Sequence, residues 1–386
     1  MKRILSLLLT FALLLSCAPF ACAETVVSLQ TIETGSCGDG VTWEFDPDTG
    51  ALSVTGSGAI RNYGNSYGGD GSEAPWSSYK SSIQSVVIGS GVTGVGNEAF
   101  AGCTALAHVT LPDGLTRIGY SAFAGCSALK EISLPDSLTS IGAYAFFYSG
   151  LGFASYENAK YLGNSVNPYL VLVEAESKSV ASVRMHDGAK CIAENAFAKC
   201  AALKTVTLAG SVTHIGADAF SGCEKLTWTY FTGDLAAWCG IAFANAAANP
   251  LYAARAKNLN VGGNWIAGNL AIPDGVTRIG AYAFSGCDRL ASVSFPVSVT
   301  QIGSGAFADC LNLTDVHYAG TQEQWESVDR GSDEENEALF FALLHENSTG
   351  PRTPIPGDVN RDNIVNAKDI TLLRRHLAGG YGVELG

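Results

Sequence analysis

Apolar residues return along this chain at a long fixed interval rather than at the period of one helix or one strand. From Ile88 the chain reads IGSGVTGVGNEAFAGCTALAHVT, and from Leu111 LPDGLTRIGYSAFAGCSALKEIS. Further copies of this 23-residue unit begin at Leu134, Met185, Leu208, Ile272 and Phe295. Positions 12 and 13 of the unit are Ala-Phe in all seven copies, which aligns Phe100, Phe123, Phe146, Phe197, Phe220, Phe284 and Phe307. Position 16 is Cys in six copies (Cys103, Cys126, Cys200, Cys223, Cys287, Cys310) and Ser149 in the third. A unit this short has no way to bury its apolar face without neighbours, so the period predicts a solenoid of stacked coils. L-x-x-V-x-(L/I/F), as in Leu129-x-x-Ile132-x-Leu134, predicts one short strand per coil. The Ala-Phe stretch predicts a helical or turn segment that closes the coil.

The flanks carry other patterns. VTWEFDPDTGALSVTG, from Val41 to Gly56, alternates about an Asp-Thr-Gly turn and predicts a β-hairpin over the solenoid's N-terminal edge. After Tyr318, TQEQWESV and EENEALFFALL have helical spacing and suit a cap on the other end. Met1-Lys2-Arg3, the apolar run Ile4 to Leu15 and Ala21-Cys22-Ala23 have the three parts of a secretory signal peptide. Leu14-Leu15-Ser16-Cys17 loosely resembles a bacterial lipobox, but the residues after it do not look like a lipoprotein tether, and secretion is the expectation. No stretch is long and apolar enough for a transmembrane helix. The expected organisation is a signal peptide (1–23), an N-terminal β cap (24–87), the solenoid (88–318), a helical cap (319–348), a Pro-rich linker (349–357) and a small helical C-terminal segment (358–386).

The unit, IPxxVTxIGxxAFxGCxxLxxV, resembles the leucine-rich repeats of BspA type found in secreted bacterial proteins. That resemblance implies a mainly β fold with short helices, a leucine-rich-repeat-like solenoid. Asn158 to Gly163 with Tyr169 to Val173 resembles that family's hairpin insertion, within 157–184. Trp238 to Phe243 followed by Asn249-Pro250-Leu251-Tyr252 resembles a second one, within 231–271.

Charge narrows the partners. Lys and Arg total 23 against 36 Asp and Glu, a net of −13, which makes nucleic acid or anionic membrane a poor match. Two of the 11 cysteines lie in the leader, and the odd remainder leaves at least one thiol without an intrachain partner. Position-16 cysteines of adjacent copies would stack about one strand spacing apart, slightly too far for a disulfide without bending. Buried free thiols are therefore expected.

Catalytic signatures are weak. Gly89-Ser-Gly91-Val-Thr-Gly94 matches a dinucleotide fingerprint by letter, yet the next copy breaks it and no strand–turn–helix context surrounds it. Gly64-Asn-Ser66-Tyr-Gly68 sits in a Gly/Ser/Tyr-rich loop unsuited to a nucleophile elbow. The six histidines never fall at metal-ligand spacings. On the strands, Glu131 and Asp315 are the acids expected on the open concave face. Five coils at roughly 4.8 Å hold them at least about 24 Å apart, too far for a glycosidase pair. No enzyme activity is expected. Trp228 and Tyr230 also fall on that face, with Trp238, Tyr252 and Trp265 in the adjoining insertion. Two readings stay open: a stacking patch for a sugar or peptide, or simple packing of residues 231–271 on Trp228.

The C-terminal motif is sharper. After Thr349 to Pro356 comes GDVNRDNIVNAKD, with oxygen donors Asp358, Asn360, Asp362, Asn366 and Asp369 and the Ile364 carbonyl in the spacing of an EF-hand-type calcium loop. Asp at loop position 12 and the following Ile370-Thr-Leu-Leu-Arg-Arg-His-Leu resemble a type I dockerin. Asn363 stands where Gly is usual, and one loop–helix segment is present where that family carries two. The resemblance implies bound Ca2+ and a cohesin module of a scaffoldin as partner, with Ala367, Lys368, Arg374 and Arg375 at the contact positions. The expected function is a secreted, non-catalytic protein- or carbohydrate-binding repeat protein, tethered to a cellulosome-like, polysaccharide-degrading complex or associated with the cell surface. A surface adhesin with a non-functional dockerin remnant and a glycoside hydrolase with an unseen site are the alternatives.

Overall fold

A computed structural model describes residues 31–65, 68–254, 256–331 and 335–348. The signal peptide, the Pro-rich linker and every predicted calcium and cohesin residue lie outside them. Among the described residues the fold is mainly β with a few short helices.

Each coil makes three stretches. Strands such as Ser85–Ile88, Thr205–Leu208 and Trp228–Phe231 stack in parallel. In Thr205–Leu208 the pattern alternates half-buried and buried, so Val206 and Leu208 point into the core and Thr205 and Thr207 outward. A second, two-residue strand such as Arg117–Ile118 or His214–Ile215 stacks the same way. The Ala-Phe stretch closes the coil as a turn, not a helix. Its position 11 has a left-handed φ in every copy: Glu98, Ser121, Tyr144, Asn195, Asp218, Tyr282 and Gly305. Position 15 does too, as Gly102, Gly125, Tyr148, Lys199, Gly222, Gly286 and Asp309, and four glycines there avoid the steric penalty.

The conserved phenyl rings form the core. Phe100, Phe123 and Phe146 are buried and stacked, with centroids 5.3 and 5.9 Å apart. Phe197 lies 5.1 Å from Phe220, and Phe284 5.2 Å from Phe307. Two tryptophans join this core, the first of them in the column itself. Trp76 stacks on Phe100 at 5.3 Å, and its Nε1 donates to the carbonyl of Ala99 at 2.8 Å. Trp238 is fully buried in the second insertion, and its Nε1 donates to the carbonyl of Ala283 at 3.0 Å. Both bonds end on the position-12 Ala of the following coil, so each indole brings that coil's turn a donor that a Phe ring lacks.

All nine described cysteines are buried and free. The Sγ of Cys126, Cys223 and Cys310 each donates to the Phe carbonyl of the preceding coil (Phe100, Phe197, Phe284) at 3.2 Å. Burial pushes Cys103, Cys126, Cys223 and Cys310 up to about 12, so they are protonated and inert at neutral pH. The Ser149 hydroxyl, which replaces this thiol in the third coil, is buried without a partner among the described residues.

The expected hairpin Val41–Asp46 with Ala51–Gly56 is present, joined by an antiparallel strand Glu33–Gly38 that the alternation missed. Ala51–Gly56 then pairs in parallel with Ser85–Ile88 and hands the sheet to the first coil. At the other end Gln322–Glu326 is a short helix with a Thr321/Gln324 capping box, and its Trp325 packs on Phe295 and Tyr318. Glu337–Phe341 is a second one.

The stacking breaks after the third coil. Leu129 to Leu134, the stretch with the clearest strand pattern, is buried at both ends but unpaired as a strand. The reason is the first insertion. Ala154–Tyr156, Ala159–Leu162 and Val171–Ala175 form an antiparallel meander that begins before residue 157, and its last strand pairs in parallel with Cys191–Ile192 of the fourth coil. Gly163 takes the amide of Leu134, and Ala175 donates to Ala196, where a preceding coil would otherwise sit. The buried apolar residues accordingly fall into two clusters that meet at residues 159–193.

Candidate functional site

The outward strip of the Ser182–Arg184, Thr205–Leu208, Trp228–Phe231 and Asn258–Val261 sheet carries the predicted aromatic pair. In register, Trp228 lies between Thr205 and Asn258, and Tyr230 between Thr207 and Asn260. Alternation leaves Trp228 40% exposed and Tyr230 half-buried, while Thr229 and Phe231 turn into the core. The chain after Asn258–Val261 reverses at Gly262-Gly263, both at positive φ, and returns as Asn264–Trp265. That turn lays Trp265 against both rings, 5.4 Å from Trp228 and 5.7 Å from Tyr230.

The insertion thus packs on Trp228, as the plainer reading expected, through Trp265. It does not cover it: Trp265 is itself 47% exposed. Three rings form one open surface. Around them stand hydroxyl and amide groups and the guanidinium of Arg289. Arg289 donates to the Oδ1 of Asn258 at 2.8 Å, and Asn258 Nδ2 to the carbonyl of Thr227 at 3.0 Å. Such a surface offers aromatic faces and neutral hydrogen-bonding groups, with no carboxylate among the strip's paired residues Thr205, Thr207, Asn258 and Asn260. Trp238 is core rather than surface, and Tyr252 is exposed but has no ring contact with the patch among the described residues.

The acids settle differently. Glu131 is exposed, but Asp315 is not on an open face: it is buried and accepts from the Nε2 of His345 at 2.7 Å. The strand Leu343–His345 pairs beside Asp315–Tyr318 and brings that imidazole in. His317, beside it, bonds the Ser348 hydroxyl at 3.0 Å and stacks on His345 at 4.5 Å. Sequence spacing missed this cluster because its members come from two strands 30 residues apart. Among the described residues no group of three or more His, Cys, Asp or Glu is placed to hold a metal ion. A recess near the N-terminal end, lined by Tyr63, Glu73, Trp76, Lys80, Glu98 and Cys103, holds about 180 Å³. That is less than the ~300–1,000 Å³ of an ordinary ligand pocket. No helix among the described residues is long and apolar enough to cross a membrane.

The chain is 20% identical to a leucine rich cell surface protein from Faecalibacterium prausnitzii, with 78% of this chain and 99% of that one covered and a TM-score of 0.32. It is 24% identical to a leucine-rich repeat protein from Bacteroides ovatus, with 72% and 70% covered and a TM-score of 0.24. The pneumococcal vaccine antigen PcpA is 13% identical, with 84% and 99% covered and a TM-score of 0.32. No curated protein matches. The family described as BspA type leucine rich repeat region matches residues 77–166, 175–250 and 266–327 in six copies. It starts 11 residues before the first copy read from the sequence, just after Trp76. With more than half of its length matched, the chain belongs to the BspA-type leucine-rich repeat family.

Proposed function

We propose that the chain is an extracellular, non-catalytic binding protein that holds a carbohydrate or protein ligand on the outward strip around Trp228, Tyr230 and Trp265. The contact of three part-exposed rings on rigid strands carries this reading, since burying such rings on a ligand is the largest apolar gain that face offers. Their neutral neighbours Thr205, Thr207 and Asn258 favour a polysaccharide chain, whose sugar faces stack on aromatics while its hydroxyls exchange hydrogen bonds with amides and alcohols.

The C-terminal segment supplies the tether in this reading. Asp358, Asn360, Asp362, Ile364, Asn366 and Asp369 would hold Ca2+ through an all-oxygen donor set, the chemistry a hard cation requires. Ala367, Lys368, Arg374 and Arg375 would then be held for a cohesin module. The test is retention on insoluble plant polysaccharides and calorimetry against cohesin, with and without calcium. Trp228→Ala with Trp265→Ala should abolish retention and leave cohesin binding intact. Asp358→Ala or Asp369→Ala should do the reverse. Retention that survives the double aromatic variant sinks the first assignment, and cohesin binding that survives a chelator sinks the second.

A further inference from the structure

In four junctions the turns of successive coils are tied by the same three backbone bonds. Position 11, 13 and 15 amides of one coil donate to position 10, 12 and 14 carbonyls of the next. Ser121, Phe123 and Gly125 thus donate to Ala143, Ala145 and Phe147 at 3.0, 2.8 and 2.7 Å, and the junctions starting at Glu98, Asn195 and Tyr282 repeat this. Where no coil follows, a side chain steps in: Asn245 Oδ1 accepts from the amide of Asp218, and Asn336 Oδ1 from that of Phe307.

The third coil has neither. The meander occupies the fourth coil's side of the junction, with Ala175 donating to Ala196, and the amides of Tyr144, Phe146 and Tyr148 find no acceptor among the described residues. The residues on this edge are also unlike those elsewhere. Position 14 is Ala or Ser in the six other copies and Phe147 here; position 15 is Gly, Lys or Asp elsewhere and Tyr148 here. Tyr144 and Tyr148 are bulky residues at φ 58° and 54°, where Gly or Asn would sit more easily. All three rings are exposed: Tyr144 by 55%, Phe147 by 49% and Tyr148 by 78%. They also touch one another, Tyr144 to Phe147 at 5.5 Å and Phe147 to Tyr148 at 4.0 Å.

We infer that this edge docks a polypeptide segment of a partner protein, whose alternate carbonyls take the amides of Tyr144, Phe146 and Tyr148 and whose apolar side chains lie on Tyr144, Phe147 and Tyr148. The complementarity is one of partial charge in a fixed spacing. Three N–H groups at alternate residues ask for three acceptors at alternate residues, and the occupant that meets this demand at the four regular junctions is polypeptide backbone. The flanking rings supply the apolar contact that backbone pairing alone lacks. This edge is separate from the Trp228 strip and stands or falls independently of it.

Amide hydrogen exchange on the full chain tests the edge first. Tyr144, Phe146 and Tyr148 should exchange freely while Ser121, Phe123 and Gly125 are protected; equal protection overturns the inference. A displayed library of 12-residue random peptides, selected on the full chain, then supplies the probe. A selected peptide should protect those three amides, lose about tenfold or more in affinity to Tyr148→Gly or Phe147→Ser, and be indifferent to Trp228→Ala. A library yielding no binder, or binders that leave the three amides open, overturns the inference. So does a polysaccharide that loses binding in Tyr148→Gly while those amides stay open, which would make the rings a sugar platform.

Discussion

A phenyl ring in the column is packed on both faces by neighbouring coils, so removing it opens a cavity that neither coil can close alone. Phe220 is fully buried and stacked on Phe197 at 5.1 Å. Phe220→Ala is expected to lower unfolding free energy by about 3–5 kcal/mol, measured by urea titration; a loss under about 1 kcal/mol would show the column to be no keystone. Trp238→Phe keeps an aromatic ring there but leaves the Ala283 carbonyl with the longer 3.4 Å bond from Asn249 Nδ2, for an expected loss of about 1 kcal/mol. The thiols make a prediction of the opposite kind, in pH. Burial holds Cys126, Cys223 and Cys310 protonated up to about 12, against an ordinary 9.0. A raised acid pKa means the folded state keeps protons that the unfolded state releases. Stability from this source is therefore full below pH about 9 and is lost as pH climbs toward about 12. Tyr161, raised to about 12, adds to the same slope. Urea midpoints between pH 8 and 11 should fall, and less steeply in Cys126→Ala with Cys223→Ala; parallel slopes would contradict the assignment.

At the level of elements, repetition made the strands, turns and Phe column legible, because seven copies vote on each position. It failed where a copy's neighbour is not another copy. Leu129-x-x-Ile132-x-Leu134 has the strand pattern, yet the meander at residues 154–175 takes away its partner, and pairing is a property of two strands. In sequence Trp238 fits either a surface patch or packing of the insertion, and only the folded chain shows it as core. Trp265, by contrast, needed the Gly262-Gly263 reversal to reach the patch, which no periodicity announces. The turn of the third coil yields a prediction at this scale. Tyr148 occupies a left-handed φ of 54° and is 78% exposed, so Tyr148→Gly removes backbone strain and little packing. The variant should be more stable by roughly 1 kcal/mol in urea titration. A destabilised variant would mean that the ring supports the coil rather than serving an outside contact.

For the whole molecule, a solenoid's stability is a chain of nearest-neighbour terms, so its weakest junction decides how it comes apart. Here that junction follows the third coil. Regular junctions share two strand ladders, a turn ladder and a ring stack. Across the break, between the third and fourth coils, run the amide of Glu194 to Ile141, the amide of Ala143 to the Glu194 carboxylate at 3.2 Å, the Cys191 thiol to Thr139 at 3.3 Å and the exposed ion pair of Lys190 with Asp136 at 3.7 Å. The column also breaks: Phe146 stacks on Phe123 and Phe197 on Phe220, with the meander between. The two apolar clusters should therefore open as separate cooperative units. Phe123→Ala should speed hydrogen exchange in moderate urea at strands Ser85–Ile88 and His108–Thr110 and leave Thr205–Leu208 and Asp315–Tyr318 unchanged. Phe284→Ala should do the opposite. If both variants accelerate all four strands alike, these links across the break suffice to make one unit. If each stays on its own side, the meander is a joint between two short solenoids, and it sets the exposed ring cluster of Tyr144, Phe147 and Tyr148 at the place where one of them ends.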